Sequence, residues 1–447
     1  FVQHSLLSPL YFPRQPLRDL YVFRGNIYHQ VFKLSGYDLE YHFPVRPENR
    51  NNIRLGVHLT NLKSITEMRA TLPVFEFLDR DHFEIFLYVS EGGGGLQEKY
   101  CQGLVDRLVV LPKDQKEWGR TIRADDLDIL LLGNNTTAGL NSAAILGTHR
   151  LARTQCVHFC SPITTGLKHV DYFMMGSLID PKREAETEYS EELVRLPGSG
   201  ICFSRERQTQ SEIQKYARSD LGIPEDRVIF VSGANFYKIT PELRELWARI
   251  IADVPKSVLV LYPFGPAWSR SYPAQQFTQE MKSVFNRFGI TEARLKILNP
   301  FESREHITSF LRLTDVYLDA TPYSGATSLL DPFEAGVPPV VTEAPELRFC
   351  QGAAMLKELG VPDLIADSEE GYVGLAVRLG CDPDFRQAKS TEIREKMARG
   401  PAFLDSRSYA KKMEKAFKWM VERESEMAGR PGRMQNGNRE WEVACHG

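Results

Sequence analysis

The sequence has no apolar run long enough to cross a bilayer; its most apolar stretches, around Val228–Val231 and Val258–Tyr262, are of strand length. It has no excess of positive charge either. With 55 Lys and Arg against 58 Asp and Glu, the net charge is -3, which argues against nucleic acid as a main partner, because phosphate binding needs a dense basic face. No basic stretch leads into an apolar core at the start, as a signal peptide would show. The chain opens on Phe1 rather than Met, so the natural N-terminus is expected to lie upstream. The seven cysteines (101, 156, 160, 202, 350, 381 and 445) lack paired spacing and are expected to be reduced thiols of a cytoplasmic protein. Cys156 and Cys160 lie close together, but two cysteines without a second pair read as packing residues. No Asp-x-Asp stands between apolar runs to hold a divalent ion against a diphosphate. No metal and no cofactor is therefore expected. Internal repeats are also missing.

What is present is the composition of an ordinary globular protein. The chain has 447 residues, of which 42% are hydrophobic and 25% charged, enough for two or three domains with proper cores. Residues 1–52 are rich in Tyr, Phe, Pro and Arg and read as an irregular or helical lead-in. Residues 53–203 alternate short apolar strands (53–59, 83–89, 108–111, 127–132, 155–159, 172–175) with helical stretches such as 65–78. Gly92 to Gly95 form a flexible loop. The rhythm breaks around 197–207, taken as the crossing to a second domain over 204–407. Strands are expected there at 228–232, 258–262, 295–298, 316–318 and 339–341. Helices are expected at 241–252, 276–288, 306–313, 327–334, 352–359 and 370–379, with Thr240 and Pro241 opening the first. A C-terminal amphipathic helix occupies 408–428, and the polar stretch 429–447 is expected to be disordered. Short buried strands separated by helices give an α/β fold with two Rossmann-like, doubly wound domains facing a cleft. Ligands in such sheets sit beyond the strand C-termini.

Four segments carry candidate chemistry. Asp315 to Asp331 reads as strand, small-residue turn and helix start. Unpaired N–H groups at a helix start suit a diphosphate. Gly325 and Ala326 let the backbone approach a ligand, Thr327 and Ser328 offer hydroxyls beside Ser324, and Asp331 has a carboxylate for ribose hydroxyls. The alternative is a plain N-cap with a turn. Lys238 follows a strand and directly precedes a capped helix, where its ammonium would neutralise a departing diphosphate; the alternative is a solvated surface lysine. His306, after Phe301 at a helix start, either stacks on a base or caps the helix. Thr164, Thr165 and Gly166 either line the acceptor side or make an ordinary turn.

In this order the segments resemble the catalytic region of the O-GlcNAc transferase-like glycosyltransferases, the SPINDLY proteins among them, and more distantly the cytoplasmic bacterial N-glucosyltransferases. The likeness is carried by Ser161–Tyr172, Tyr189–Pro197, Tyr237–Trp247, Glu305-His306, Leu318–Asp331, Ala335–Thr342, Leu356–Ala366 and Tyr409–Met420, and it spans roughly residues 54–425. The resemblance implies a GT-B fold, a UDP-sugar donor (GlcNAc, glucose or related), metal-independent inverting transfer and a protein acceptor. Carried over by position, Lys238 contacts the diphosphate, the backbone at Phe301 holds the uracil and His306 stacks beside it. Ala326, Thr327 and Ser328 bind the pyrophosphate, and Asp331 the ribose. The chain departs from the family pattern at several positions. Leu59 to Ser64 lacks the usual His, Ala326 stands where a His commonly precedes the Thr pair, Ser328 replaces the second Thr, and Cys350 stands for an Arg, with Arg348 close by. By type, Glu67, His58 and Asp171 are candidate bases, and none is singled out. Two other readings remain: a non-catalytic nucleotide-sugar-binding scaffold, and a transferase for small-molecule or lipid-linked acceptors.

Overall fold

The structure, a computed structural model, describes residues 6–63, 66–93, 95–180, 185–205, 216–265, 273–301 and 303–428. The expected disordered tail at 429–447 lies outside them. Contacts divide the chain into two units, Phe1–Glu206 with Ala402–Gly447, and Arg207–Pro401. No helix among the described residues is long and apolar enough to cross a membrane.

After a 3-10 turn at Ser8–Tyr11, the first unit begins with α1 (Arg18–Leu34), the α-helical part of the lead-in. It continues through β1 (Ile53–Leu59), α2 (Thr66–Phe75), β2 (Phe83–Val89), α3 (Leu96–Gln102), β3 (Arg107–Val110), α4 (Trp118–Arg123), β4 (Ile129–Leu132), α5 (Ser142–Gly147), β5 (Thr154–Val157), β6 (Tyr172–Gly176) and β7 (Glu192–Leu196). The seven strands form one sheet in the order β3-β2-β1-β4-β5-β6-β7. Every pairing is parallel, which explains why β4 is a continuous apolar run with all four residues buried: both of its faces are covered. β7 is not among the expected strands because Glu192 and Arg195 within it read as surface. In the fold Arg195 is buried and paired with Asp180 at 2.7 Å and with Glu186.

The second unit runs β8 (Val228–Ser232), α6 (Pro241–Asp253), β9 (Ser257–Leu261), α7 (Ala274–Arg287), β10 (Leu295–Ile297), α8 (Arg304–Leu311), β11 (Val316–Leu318), α9 (Thr327–Ala335), β12 (Pro339–Thr342), α10 (Gln351–Leu359), β13 (Ile365–Ala366), α11 (Glu369–Cys381) and α12 (Pro383–Ala398). Its sheet order is β10-β9-β8-β11-β12-β13, again all parallel. α12 is absent from the expected helices because its buried residues are Lys389, Ser390 and Ile393, so it has almost no apolar stripe to read. Lys389 is held there by Asp363 at 2.6 Å and Glu392 at 2.9 Å.

The last helix, α13 (Ser406–Ala428), returns to the first unit. Tyr409, Met413, Phe417 and Met420 recur at helical spacing and join the core formed by β1, β2 and α2. Lys412 Nζ also donates to the Pro197 carbonyl at 2.8 Å.

Candidate functional site

In the second sheet, chain order reverses between β8 and β11, the point where loops from neighbouring strands part and leave room for a ligand. Two loops leave the strand ends there. Ser232 Oγ at the end of β8 donates to the Leu318 carbonyl at the end of β11 at 2.6 Å, tying the two exits together. Gly233 follows, and a Cβ on it would lie 2.4 Å from the Tyr262 ring, so only glycine fits. The chain then makes a 3-10 turn, Phe236–Lys238, which brings Lys238 back across the gap. Its Nζ donates to the Ser324 carbonyl at 3.0 Å and stands 4.2 Å from the centroid of the Tyr323 ring. Lys238 is half-buried rather than a solvated surface lysine. Burial pushes its ammonium down to about 8, against the opposing field of Asp319.

The loop after β11 is organised by Asp319, which is 2% exposed. Its carboxylate accepts from Ser324 Oγ at 2.6 Å and from the Gly325 N–H at 3.1 Å. Burial raises the Asp319 carboxyl, with Ser324, Lys238 and the Gly325 N–H opposing. From this hub the chain enters α9. Its N-cap residue is Ala326, which has no side-chain acceptor to offer the first-turn N–H groups. The plain N-cap alternative is therefore not what the fold contains. Thr327 and Ser328, both half-buried, stand in the first turn of a nine-residue helix whose positive end carries no acidic side chain.

Asp331, one turn further, is 6% exposed, and Arg304 Nη2 donates to its Oδ1 at 2.5 Å. The same guanidinium reaches the Thr327 carbonyl at 3.4 Å, fastening α8 to α9. The N-cap of α8 is Ser303, whose Oγ accepts from the His306 N–H at 3.4 Å. His306 does not cap the helix itself, and its ring is half-buried, 6.4 Å from that of Tyr216. Phe301 lies 5.9 Å from Tyr216, 5.4 Å from Tyr262 and 5.1 Å from Phe310. Lys238, Ser324 to Ser328 and Asp331 thus gather at the carboxyl end of the central strands of this sheet, with Phe301 and His306 in an aromatic cluster alongside.

Thr164, Thr165 and Gly166 belong to the first unit. Both threonine side chains are buried and bonded to Glu191, Thr164 Oγ1 at 2.8 Å and the Thr165 N–H at 2.7 Å. Gly166 has a φ of +64° and packs against α1, where a Cβ on Gly25 would lie 1.9 Å from the Gly166 carbonyl oxygen. Arg24, also buried, donates to the Thr165 carbonyl at 2.8 Å. This turn seats the lead-in helix. Among the candidate bases, His58 is fully buried, bonded to Ser90 Oγ at 2.9 Å and pushed down to about 3 by burial. Asp171 is clamped by Arg150 at 2.6 and 2.9 Å. Glu67 is half-buried in the first turn of α2. Cys156 and Cys160 are thiols that burial pushes up, away from the thiolate a metal would need.

Sequence reasoning passed over Asp319, Arg304, Tyr262 and Tyr216. Asp319 alone had a local signal, an acid directly after an apolar strand and six residues ahead of Gly325; the others are brought in by the fold.

The model of glycosyl transferase family 41 matches residues 200–413, a span that contains both loops. A SPINDLY protein of Petunia hybrida is 29% identical over 313 residues, covering 69% of this chain and 32% of that protein. A UDP-N-acetylglucosamine–peptide N-acetylglucosaminyltransferase of Caenorhabditis elegans is 32% identical over 168 residues, covering 38% of this chain and 14% of that protein. The solved structure of a Thermobaculum terrenum O-GlcNAc transferase mutant aligns with a TM-score of 0.76 at 22% identity, over 91% of this chain and 75% of that one. The chain thus spans less than two thirds of the length of the curated relatives, while the shared fold extends over nearly all of it. Two parallel doubly wound sheets and the likeness to the Thermobaculum terrenum structure give the chain a GT-B fold, and the Lys238 and Ser324–Ser328 loops lie within the span that matches glycosyl transferase family 41.

Proposed function

We propose that this region transfers a sugar, GlcNAc or a related hexose, from a UDP donor to a protein side chain by metal-independent inverting transfer. The observation that carries the reading is the Lys238 ammonium bonded to the Ser324 carbonyl, beside the start of a helix that has no side-chain cap. A diphosphate at that place receives N–H groups of the first turn of α9, the hydroxyls of Thr327 and Ser328, and the ammonium. As the bond to the sugar breaks, negative charge grows on the leaving oxygen, and a preorganised cation stabilises it without solvent reorganisation. Asp331 lies where it would meet ribose, with Arg304 orienting its carboxylate, and the aromatic cluster at Phe301 and His306 would take the base. The peptide acceptor rests on the names of the relatives, the Caenorhabditis elegans protein among them. A cytoplasmic setting rests on the unpaired spacing of the cysteines.

Calorimetry with UDP tests the donor site. Lys238→Ala is expected to weaken binding by about 10- to 100-fold, the loss of one charge-assisted contact. Equal affinity in the variant overturns the placement. Intact-mass measurement after incubation with UDP-GlcNAc, UDP-glucose and candidate proteins tests transfer. Binding without transfer or donor hydrolysis replaces the enzyme by a nucleotide-sugar-binding scaffold, and donor consumption without protein mass gain moves the acceptor to small molecules or lipid-linked sugars.

A pH dependence follows from the buried ammonium. With the Lys238 value pushed down to about 8, the group is charged below that pH and loses its proton above it. UDP affinity of the wild type is expected to fall between pH 7 and pH 9, and that of Lys238→Met to stay flat over the same interval. Parallel profiles would remove this lysine from the diphosphate.

A further inference from the structure

Far from both loops in sequence, the first unit brings together three side chains that the donor reading does not use. His29 is one turn beyond Gly25 on α1, Glu40 is in the extended stretch after that helix, and His169 is three residues beyond Gly166 in the loop leading to β6. His29 Nε2 lies 3.0 Å from Glu40 Oε1, His169 Nε2 lies 3.4 Å from the same oxygen, and all three atoms fall within 4.8 Å of one another. A tetrahedral cation at about 2.0–2.1 Å from its ligands sets them roughly 3.3 Å apart, and the two edges that meet at Glu40 Oε1, 3.0 and 3.4 Å, are close to that. The His169 side chain is 5% exposed, and its Nε2 has only the long contact to Glu40 Oε1, which lacks good hydrogen-bond geometry. A buried ring nitrogen with no better partner is poorly satisfied, and a cation shared with Glu40 would satisfy it. Glu40, 54% exposed, leaves an open side for entry and for a water as fourth ligand.

We propose that His29, Glu40 and His169 form a binding site for a divalent transition cation of the Zn²⁺ class. Two imidazoles and one carboxylate are the donor set such ions prefer over Mg²⁺ or Ca²⁺. The bound ion would staple α1 and the stretch after it to the loop that Gly25 already touches at Gly166. It is a structural site in the first unit, separate from the sugar-transfer chemistry. Lys168 Nζ, 57% exposed and 2.5 Å from Glu40 Oε1, is the competing cation at the same oxygen. A second group, Asp79, His82 and Glu414, has a single imidazole and no buried unpartnered nitrogen, and carries no such argument.

The test is Zn²⁺ titration by calorimetry on the full chain, reduced and stripped with EDTA, in a His82→Ala background that removes the second group. One tight equivalent is expected. Glu40→Gln and His169→Ala should each weaken it by about 10-fold or more. Lys168→Met should tighten it several-fold, and Zn²⁺ should raise the melting temperature of the background protein but not of His169→Ala. If His169→Ala does not fold, the exposed Glu40 and Lys168 variants decide alone. Zn²⁺ affinity unchanged by Glu40→Gln, or no tighter in Lys168→Met, overturns the site.

Discussion

Gly25→Ala is expected to unfold the first unit, at a loss of about 4 kcal/mol or more. The added methyl group would lie 1.9 Å from the Gly166 carbonyl oxygen and 2.8 Å from its carbonyl carbon. Both sides of this contact are backbone, so no side chain can swing away. Gly166 cannot retreat either. Its φ is +64°, and a Cβ there would in turn lie 2.1 Å from the backbone of Tyr21. Separating the two segments would also break the buried Arg24 from the carbonyls of Thr136, Thr137 and Thr165, leaving a guanidinium without acceptors. Urea denaturation followed by circular dichroism measures the effect, and Gly374→Ala is the matched control. Gly374 is exposed inside α11 with nothing within 4 Å of its Cβ position, so that change should be neutral or stabilise by about 0.5–1 kcal/mol. A Gly25→Ala protein with the wild-type midpoint would show that helix and loop do not meet as described.

The second large effect is expected at Asp319. Asp319→Ala removes the acceptor for Ser324 Oγ and the Gly325 N–H, both of them buried, and each donor left unsatisfied costs about 1–3 kcal/mol. The second unit should lose about 3 kcal/mol in total, and UDP affinity should fall by more than about 100-fold, because the loop that presents the start of α9 loses its anchor. Ser324 is also the acceptor of the Lys238 ammonium through its carbonyl and of the Gly352 N–H through its hydroxyl, so the loss reaches α10 as well. Asp319→Asn keeps the shape and should retain most of the stability. If Asp319→Ala binds UDP as the wild type does, the carboxylate is not what holds the loop.

Periodicity made the two sheets visible because strands covered on both faces are mostly apolar: β4 is so throughout, β8 and β9 but for one serine each, and β1 and β2 but for Arg54, His58 and Glu84. α13 was visible for the same reason, its apolar residues recurring along one face. β7 and α12 escaped because they bury charged residues, and Arg195 and Lys389 are tolerated inside only through partners that local pattern does not reveal. At the site, the Lys238 turn and the start of α9 could be read, since a small-residue turn after a buried strand is a local event. The grip of Arg304 on Asp331, 27 positions apart, could not. Nor could the meeting of His29, Glu40 and His169, whose separation in sequence hides any ligand spacing. The turn at Thr164 to Gly166 looked polar and turned out buried, because Glu191 arrives from another part of the chain to satisfy its hydroxyls.

The return of α13 to the first unit has a consequence for how the protein is made. A nascent chain paused at residue 401 holds every strand of the first sheet but not the helix whose Tyr409, Met413, Phe417 and Met420 close its core. The second unit, encoded later, has all its parts by then. Synthesis therefore completes the later half first, and the earlier half waits with an apolar face open to chaperones until the final helix emerges.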